Sequence, residues 1–314
     1  MCVHEMTVTA ADDGARVDRV VTRWLAGVSR ARVQQCIRTG SLLVNGRPTK
    51  ASQLLRTGDQ IRLELPEAEP PDVQPEEIPL QILYQDDQLV IIDKPAGLVV
   101  HPGAGIRQGT LANALVHHFG RLPGTEELRP GIVHRLDRDT SGVMLVTLTA
   151  ESKSRLAEMF RRRELHKEYQ TLVYGAMNEP RGMIEKPVGR HPVHRLKMTT
   201  RAPRSRPCKT EWSVIRQFPA FSHLRVILHT GRTHQIRVHL ASLGRPVVGD
   251  VLYGGRRHVQ VNDRRIRQAI EGLGRFFLHA CRLRFVHPFR GEVVDVSAPL
   301  PPPLTEFLEL LEQG

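Results

Sequence analysis

Apolar residues recur along the chain with two periods, and the element changes where the period does. Val17, Val20, Val21, Trp24 and Leu25 keep the spacing of one helix face. A helix is expected there, with Arg16, Arg19 and Arg23 towards solvent. Ser29 is placed to cap a second helix carrying Arg30, Arg32 and Arg38, and Gly40 to stop it. Leu42-Leu43-Val44 then meets Asn45-Gly46, a pair suited to a tight hairpin turn because both residues tolerate positive φ. After a turn at Gly58-Asp59, Ile61-Arg62-Leu63-Glu64-Leu65 alternates with the period of a half-buried strand. Residues 14–65 thus read as two small helices and a short sheet.

Residues 64–87 break both patterns. They hold eight acids, five prolines and no Lys or Arg. Proline fixes φ and removes donors, and like charges repel, so much of this stretch should be extended. The expected organisation is a small module over 1–70, an acidic, Pro-rich linker over 71–79, and a large domain over 80–314.

In the large domain, 89–92 and 143–148 are short continuous apolar runs, expected as buried strands. Residues 169–173 and 224–228 also read as strands. Helices fit 150–163 and 233–243, the latter with Thr233 able to cap. The fold class expected is α+β: a central, mainly antiparallel sheet with flanking helices, preceded by the small α/β module.

Composition adds a partner. With 45 Lys+Arg against 33 Asp+Glu the 314-residue chain carries +12, an excess that favours a polyanion. The charge is concentrated. Residues 181–216 hold ten Lys/Arg against Glu185 and Glu211, and 255–285 hold eight arginines against Asp263 and Glu271. Both segments resemble loops or short elements over a surface, and each is a candidate track for phosphates. The arginines of the small module make a plausible RNA-docking surface; a merely solvated helix face is the alternative. Cys2, Cys36, Cys208 and Cys281 lie far apart and suggest neither a disulfide framework nor a zinc knuckle. Buried or idle thiols in a reducing cytoplasm are the expectation. No signal peptide is visible, and no apolar run approaches the ~18 residues that span a bilayer.

Several familiar chemistries fail on spacing. Gly103-Ala104-Gly105 is next followed by glycine at Gly109, which misses the dinucleotide fingerprint, and no Walker A sequence occurs. Among the histidines there is no H-E-x-x-H, and His234 and His239 are offset onto different helix faces, so no metal is expected. Asp139-Thr140-Ser141-Gly142 carries one residue too many for an aspartic-protease site, and no second copy exists.

Two segments remain. Residues 129–142 (RPGIVHRLDRDTSG) set two carboxylates among cations, between glycines and ahead of a buried strand. Turns beside rigid strands are where reactive groups are held, and adjacent arginines keep an aspartate ionised. A salt-bridged structural turn is the alternative. Residues 228–239 (LHTGRTHQIRVH) turn at Gly231 and enter a helix whose N-terminus, with Arg232 and Arg237 nearby, suits a phosphate or a carboxylate.

His134-Arg135-Leu136-Asp137-Arg138-Asp139-Thr140-Ser141-Gly142 resembles the signature of the pseudouridine synthases that act on large-subunit ribosomal RNA and some transfer RNAs. Lys94 to Gly103, Lys167-Glu168-Tyr169, Thr230 to Arg237, Leu278-His279-Ala280 and His287-Pro288 match in the same order. Agreement at 101–105, 113–115 and 189–192 points to a subgroup that modifies large-subunit ribosomal RNA. The small module resembles the RNA-binding domain, named after a small-subunit ribosomal protein, that often precedes this catalytic domain; Val17-Asp18 stands where that domain usually has Leu-Asp. The resemblance implies an isomerase of uridine, cytoplasmic, needing neither metal nor cofactor, whose partner is large-subunit ribosomal RNA or a pre-50S particle. It also implies roles: Asp137 as the essential carboxylate, Arg237 paired with it, Tyr169 stacked on the target uracil, Leu278 lining the base pocket, and Arg135 filling the space of the flipped base. Whether the carboxylate attacks base or ribose, or acts as a base on the sugar, stays open. Nothing demands an oligomer, so a monomer is expected. A non-catalytic ribosome-assembly factor is the competing class; it shares the RNA-binding features but leaves the Asp, Tyr and Arg set unexplained.

Overall fold

The computed structural model describes residues 2–25, 28, 30–65, 73–103, 105–125, 128–194 and 196–313, the side chains of residues 2, 31 and 32 excepted. The chain divides into two units, Met1–Pro71 and Asp72–Gly314. No helix among the described residues is long and apolar enough to cross a membrane.

The small unit comprises β1 (Cys2–Thr7), α1 (Val17–Trp24), α2 (Arg30–Thr39), β2 (Leu42–Val44), β3 (Arg47–Pro48) and β4 (Gln60–Leu65). Its sheet runs β1-β4-β2-β3. Val17, Val20 and Val21 of α1 pack on Val33 and Cys36 of α2 and on Leu42, Val44, Ile61 and Leu63 of the sheet. Asn45 and Gly46 take φ of 51° and 73°, the left-handed pair that a two-residue hairpin turn requires. Ser29, the expected cap of α2, lies outside the described residues.

Arg16 does not simply face solvent. Asp18, next but one to it, is fully buried, and Arg16 donates to it at 3.1 Å, Arg30 at 2.7 Å and Gln34 at 3.1 Å. Burial works against the Asp18 charge, but hydrogen bonds from Arg16, Arg30 and Gln34 outweigh it and hold the carboxyl below its usual range. Arg23 likewise pairs with Asp12, whereas Arg19 is exposed.

The large unit comprises β5 (Gln81–Gln85), β6 (Leu89–Lys94), α3 (Leu111–Phe119), β7 (Ser141–Thr147), α4 (Ala150–Arg162), β8 (His166–Tyr174), β9 (Arg181–Ile184), β10 (Val188–Arg190), β11 (Met198–Thr199), β12 (Ser205–Arg206), β13 (Thr210–Gln217), β14 (Phe221–Leu228), α5 (Gln235–Ser242), α6 (Val251–Gly254), α7 (Arg264–Gly272), β15 (Leu278–Val286), β16 (Val293–Ser297) and α8 (Pro302–Glu312). The main sheet is ordered β5-β6-β7-β15-β8-β14-β13-β9, with β16 on β15. Its pairings are antiparallel except that of β7 with β15. This is the α+β class expected.

The two continuous apolar runs have a direct explanation. Val90, Ile92, Met144 and Val146 enter the core on one face of the sheet, while Leu89, Ile91, Val143 and Leu145 enter that on the other, beneath Leu156 and Met159 of α4. Strands covered on both faces lose the polar–apolar alternation. Gly142, the second residue of β7, takes φ +113°, and a Cβ there would meet the Ala280 carbonyl oxygen at 2.1 Å. Glycine therefore lets β15 close onto the end of the 131–140 loop.

The basic segment 181–216 is more ordered than expected. It forms β9 to β13, with β10, β11 and β12 making a separate three-stranded sheet. Apolar positions such as Trp212 turn inward, so the charge masked a strand pattern. In 255–285, Asp263 caps α7 through the Arg265 and Ile266 N–H groups, and Ile270 anchors it. Of the expected linker, residues 73–79 form no helix or strand, turn at Glu76–Ile78, where the Ile78 N–H reaches the Glu76 carbonyl at 2.8 Å, and are attached to the large unit. Val73 is buried, Asn113 donates to the Gln74 carbonyl at 2.8 Å, and the Glu76 carboxylate accepts the Gly109 N–H at 3.0 Å.

Candidate active site

The 131–140 loop is fastened on both sides of Asp137. Upstream, His134 Nε2 accepts the Leu145 N–H at 2.9 Å, and its ring stacks on Phe160 at 4.8 Å. Burial, with nearby Lys167, pushes this imidazole down to about 3, so it stays neutral and acts as an acceptor. Downstream, the Arg138 carbonyl accepts from Gly97 N at 2.9 Å and from Lys94 Nζ at 3.0 Å. Lys94 is fully buried, and its other donors go to the carbonyls of Pro95 at 2.7 Å and Leu98 at 3.0 Å. Burial and Arg275 push its ammonium down to about 7. The Lys94-Pro95-Ala96-Gly97 turn is therefore a clamp on the loop.

Between these fastenings the Asp137 carboxylate is 17% exposed. Its Oδ2 accepts from Arg237 Nη1 at 2.9 Å. Arg237 rises from α5, and its remaining donors grip Asp250 in a fork, Nε to Oδ2 at 2.7 Å and Nη2 to Oδ1 at 3.0 Å. The guanidinium lies between two rings, with Phe276 at 4.2 Å and Tyr253 at 5.1 Å. Burial opposes its charge, but Asp250 and Asp137 more than compensate and raise its pKa. Asp250 also caps α6 through Leu252 and Tyr253, so it cannot swing away. A planar guanidinium holding two carboxylates is a rigid bridge, and it leaves Asp137 Oδ1 without a hydrogen bond among the described residues.

Tyr169 and Leu278 form the apolar floor. Ala280 of β15 pairs with Tyr169 of β8, and Leu278 with Thr171. The period of two therefore puts the Tyr169 and Leu278 side chains on one face. Burial, then Asp137, raises the Tyr169 phenol well above its ordinary range, so it stays protonated. The pocket above has a volume of about 490 Å³, within the range of small-ligand sites. Asp137, Arg237, Tyr169, Leu278 and exposed Arg135 all line it, and Arg163, Lys167 and Arg232 add positive charge. Arg30 and Arg38 belong to the small unit, and the side chain of Arg32 lies outside the described residues.

The expected Thr233 cap does not form. His234 holds the position before α5 in the left-handed region, φ 56°, with no side-chain cap. Gln235 Oε1 instead accepts from Arg232 N at 3.1 Å and from Thr230 Oγ1 at 2.8 Å, which closes the turn from inside. His239 is committed to Thr210 and to the Lys186 carbonyl. No cluster of three or more potential metal ligands occurs among the described residues.

Sequence reasoning passed over Asp250, Tyr253 and Phe276. Gly249-Asp250 ahead of a helix was readable as a cap. That the same carboxylate orients Arg237 depends on the three-dimensional fold.

The family model for RNA pseudouridylate synthase matches residues 88–242, and that for the S4 domain matches 15–61. Proteins named ribosomal large subunit pseudouridine synthase D are similar over nearly the whole chain. That of Xanthomonas campestris is 40% identical, covering 99% of this chain and 93% of its own. That of Escherichia coli K12 is 37% identical, covering 98% and 94%, and that of Vibrio parahaemolyticus has the same identity and coverage. The solved structure of human RNA pseudouridylate synthase domain containing 1 shares the fold, with a TM-score of 0.57 at 24% identity over 80% of this chain and 98% of that one. With identity of this order sustained over nearly full length, the chain belongs to the RNA pseudouridylate synthase family and carries an S4 domain ahead of its synthase unit.

Proposed function

We propose that this enzyme converts selected uridines of large-subunit ribosomal RNA to pseudouridine, with Asp137 as the essential carboxylate. The names of the nearly full-length relatives support the substrate, and the S4 domain supports RNA as partner. One observation carries the role of Asp137: its Oδ2 is held by a buried arginine, while its Oδ1, with no hydrogen bond among the described residues, lies at a pocket roomy enough for a nucleotide.

The reaction is an isomerisation. The N1–C1′ bond breaks, the uracil turns, C5 joins C1′, and the C5 proton is lost while N1 gains one. The Asp137 carboxylate can attack the base or the ribose, or take a proton from the sugar, and Arg237 holds its Oδ2 in each case. Tyr169 offers an aromatic platform to a base of any sequence context, and Leu278 closes the pocket beside it. The uridine must leave its stack, at a cost of a few kcal/mol. Arg135, exposed at the rim, fills the vacated space. Phosphate contacts along 181–216 and 255–285, and from Arg30, Arg32 and Arg38, offset the cost.

The test is pseudouridine mapping by carbodiimide labelling and primer extension. Ribosomal RNA from cells lacking the protein is incubated with wild type or with Asp137→Ala. Stops that appear with wild type alone establish activity, target sites and the role of Asp137 together. No new stop on naked RNA or on large-subunit particles would remove the ribosomal assignment.

A further inference from the structure

His234 and Tyr253 are not accounted for by the roles above, yet they connect the site to the basic three-stranded sheet. The Tyr253 hydroxyl oxygen accepts the Met198 N–H of β11 at 2.8 Å, and the same hydroxyl lies 2.8 Å from His234 Nδ1. Burial pushes the phenol up to about 12, so it keeps its proton. Among the described residues the phenol proton has no acceptor other than Nδ1. A neutral imidazole that accepts at Nδ1 carries its own proton on Nε2. Burial holds His234 below its ordinary value, against the pull of Asp137; Arg237, Asp250 and Arg135 also face it. Its Nε2 stands 3.9 Å from Asp137 Oδ2. That is longer than a hydrogen bond, but such contacts in unliganded sites often tighten when substrate binds. The left-handed backbone at His234 is a conformation that persists in a β-carbon-bearing residue only where its surroundings over-determine it.

We propose that the Tyr253 hydroxyl locks His234 in the tautomer that carries its proton on Nε2, and that this N–H joins Arg237 on Asp137 Oδ2, so that Oδ1 is the oxygen that reacts. His234 and Tyr253 are positioning residues: they act through Asp137. The backbone of β11 fixes the phenol, so the seating of the basic sheet sets the geometry of the carboxylate.

The inference rests on the proposed activity, and the experiment separates the two. Tritium release from a [5-³H]uridine-labelled large-subunit ribosomal RNA transcript is followed in single turnover with enzyme in excess, and RNA affinity is measured by filter binding. Tyr253→Phe keeps the ring beside Arg237 and removes only the hydroxyl. It should slow release about tenfold, the worth of one hydrogen bond to a charged site, with affinity unchanged within about twofold. His234→Ala should lose a similar factor, and the double variant no more, because both changes break one chain of contacts. His234→Gln, whose side-chain N–H reaches the same place without a tautomer to lock, should recover the rate. In that background Tyr253→Phe should have no effect. Full activity of Tyr253→Phe, additive losses in the double variant, or equal damage with Gln at 234 would each overturn the proposal and leave the hydroxyl as a support for β11 alone. Absence of release by wild type would remove the proposed activity itself.

Discussion

Arg16-Val17-Asp18-Arg19 in the small unit and Arg135-Leu136-Asp137-Arg138 in the large one repeat a pattern, an aspartate between arginines beside a branched apolar residue. Their surroundings diverge. Asp18 stands in the first turn of α1, where Arg16 curls back onto it and Arg30 and Gln34 of the next helix complete its shell. Both oxygens are engaged and the carboxylate is sealed. Asp137 stands in a loop, its neighbour Arg135 faces the pocket, and its partner Arg237 comes from 100 residues away. One oxygen is held and the other is left open. A saturated carboxylate gives stability; a half-saturated one, fixed in direction, can react. The difference lies in which hydrogen bonds the fold withholds.

Replacing the aspartate should therefore have opposite consequences at the two sites. Asp137→Asn is expected to lower the rate of tritium release by about a thousandfold or more, as removal of an essential group does. Its thermal midpoint should hold or rise, since active-site residues are commonly not optimal for stability. A variant keeping a tenth of the rate would place the reacting group elsewhere. Arg237→Lys is the next largest. An ammonium cannot fork onto Asp250 while reaching Asp137 in plane, so the rate should fall about a hundredfold and stability by roughly 2 kcal/mol, as Asp137 and Asp250 are left near each other less well compensated. Retained activity would mean that charge alone, not the fixed plane, serves Asp137.

How much of this was readable depends on how local each interaction is. The runs at 89–92 and 143–148 and the Asn45-Gly46 turn were legible because burial on two faces and positive φ leave their marks within a few residues. β1 was not, because its alternation is short and half-polar. β9 to β13 were hidden by charges that point outward from a strand. At the site, periodicity and charge singled out the segments holding Asp137 and Arg237 but did not pair them; the resemblance did. Asp250 escaped because its bond to Arg237 is set by the path of the chain, and so did the pairing of Arg30 with Asp18, for which the pattern of apolar residues gives no sign.

Asp18 offers the converse test, with a pH dependence whose sign is fixed. Its folded pKa is depressed, so its stabilisation is fully present above the ordinary carboxylate range and is lost as pH falls through that range towards the folded value. Asp18→Asn should lower the stability of the small unit by roughly 2 kcal/mol near neutral pH, less than for a fully enclosed pair because Arg16 and Arg30 remain 38% and 47% exposed. The deficit relative to wild type should shrink on acidification, read by thermal melting from neutral pH downward. A deficit independent of pH would show that shape, not charge, is what Asp18 contributes.

The smallest effect separates two arginines of one helix. Arg38 is exposed near the end of α2, so Arg38→Ala should leave melting unchanged and lower the salt slope of RNA binding by about one, the loss of one phosphate contact. Arg30, proposed to meet RNA as well, is bound to Asp18, so Arg30→Ala should lower the slope by a similar amount and also the melting temperature of the small unit, by an amount worth about 1 kcal/mol for a partly screened pair. If Arg30→Ala shifted melting and left the slope untouched, its guanidinium would belong to Asp18 alone, and RNA docking would fall to the residues around Arg38. Since Asp18→Asn also frees Arg30 from its partner, that variant should melt lower yet bind RNA no more weakly. Stability and docking would then vary independently in the small unit, as stability and catalysis are expected to do at Asp137.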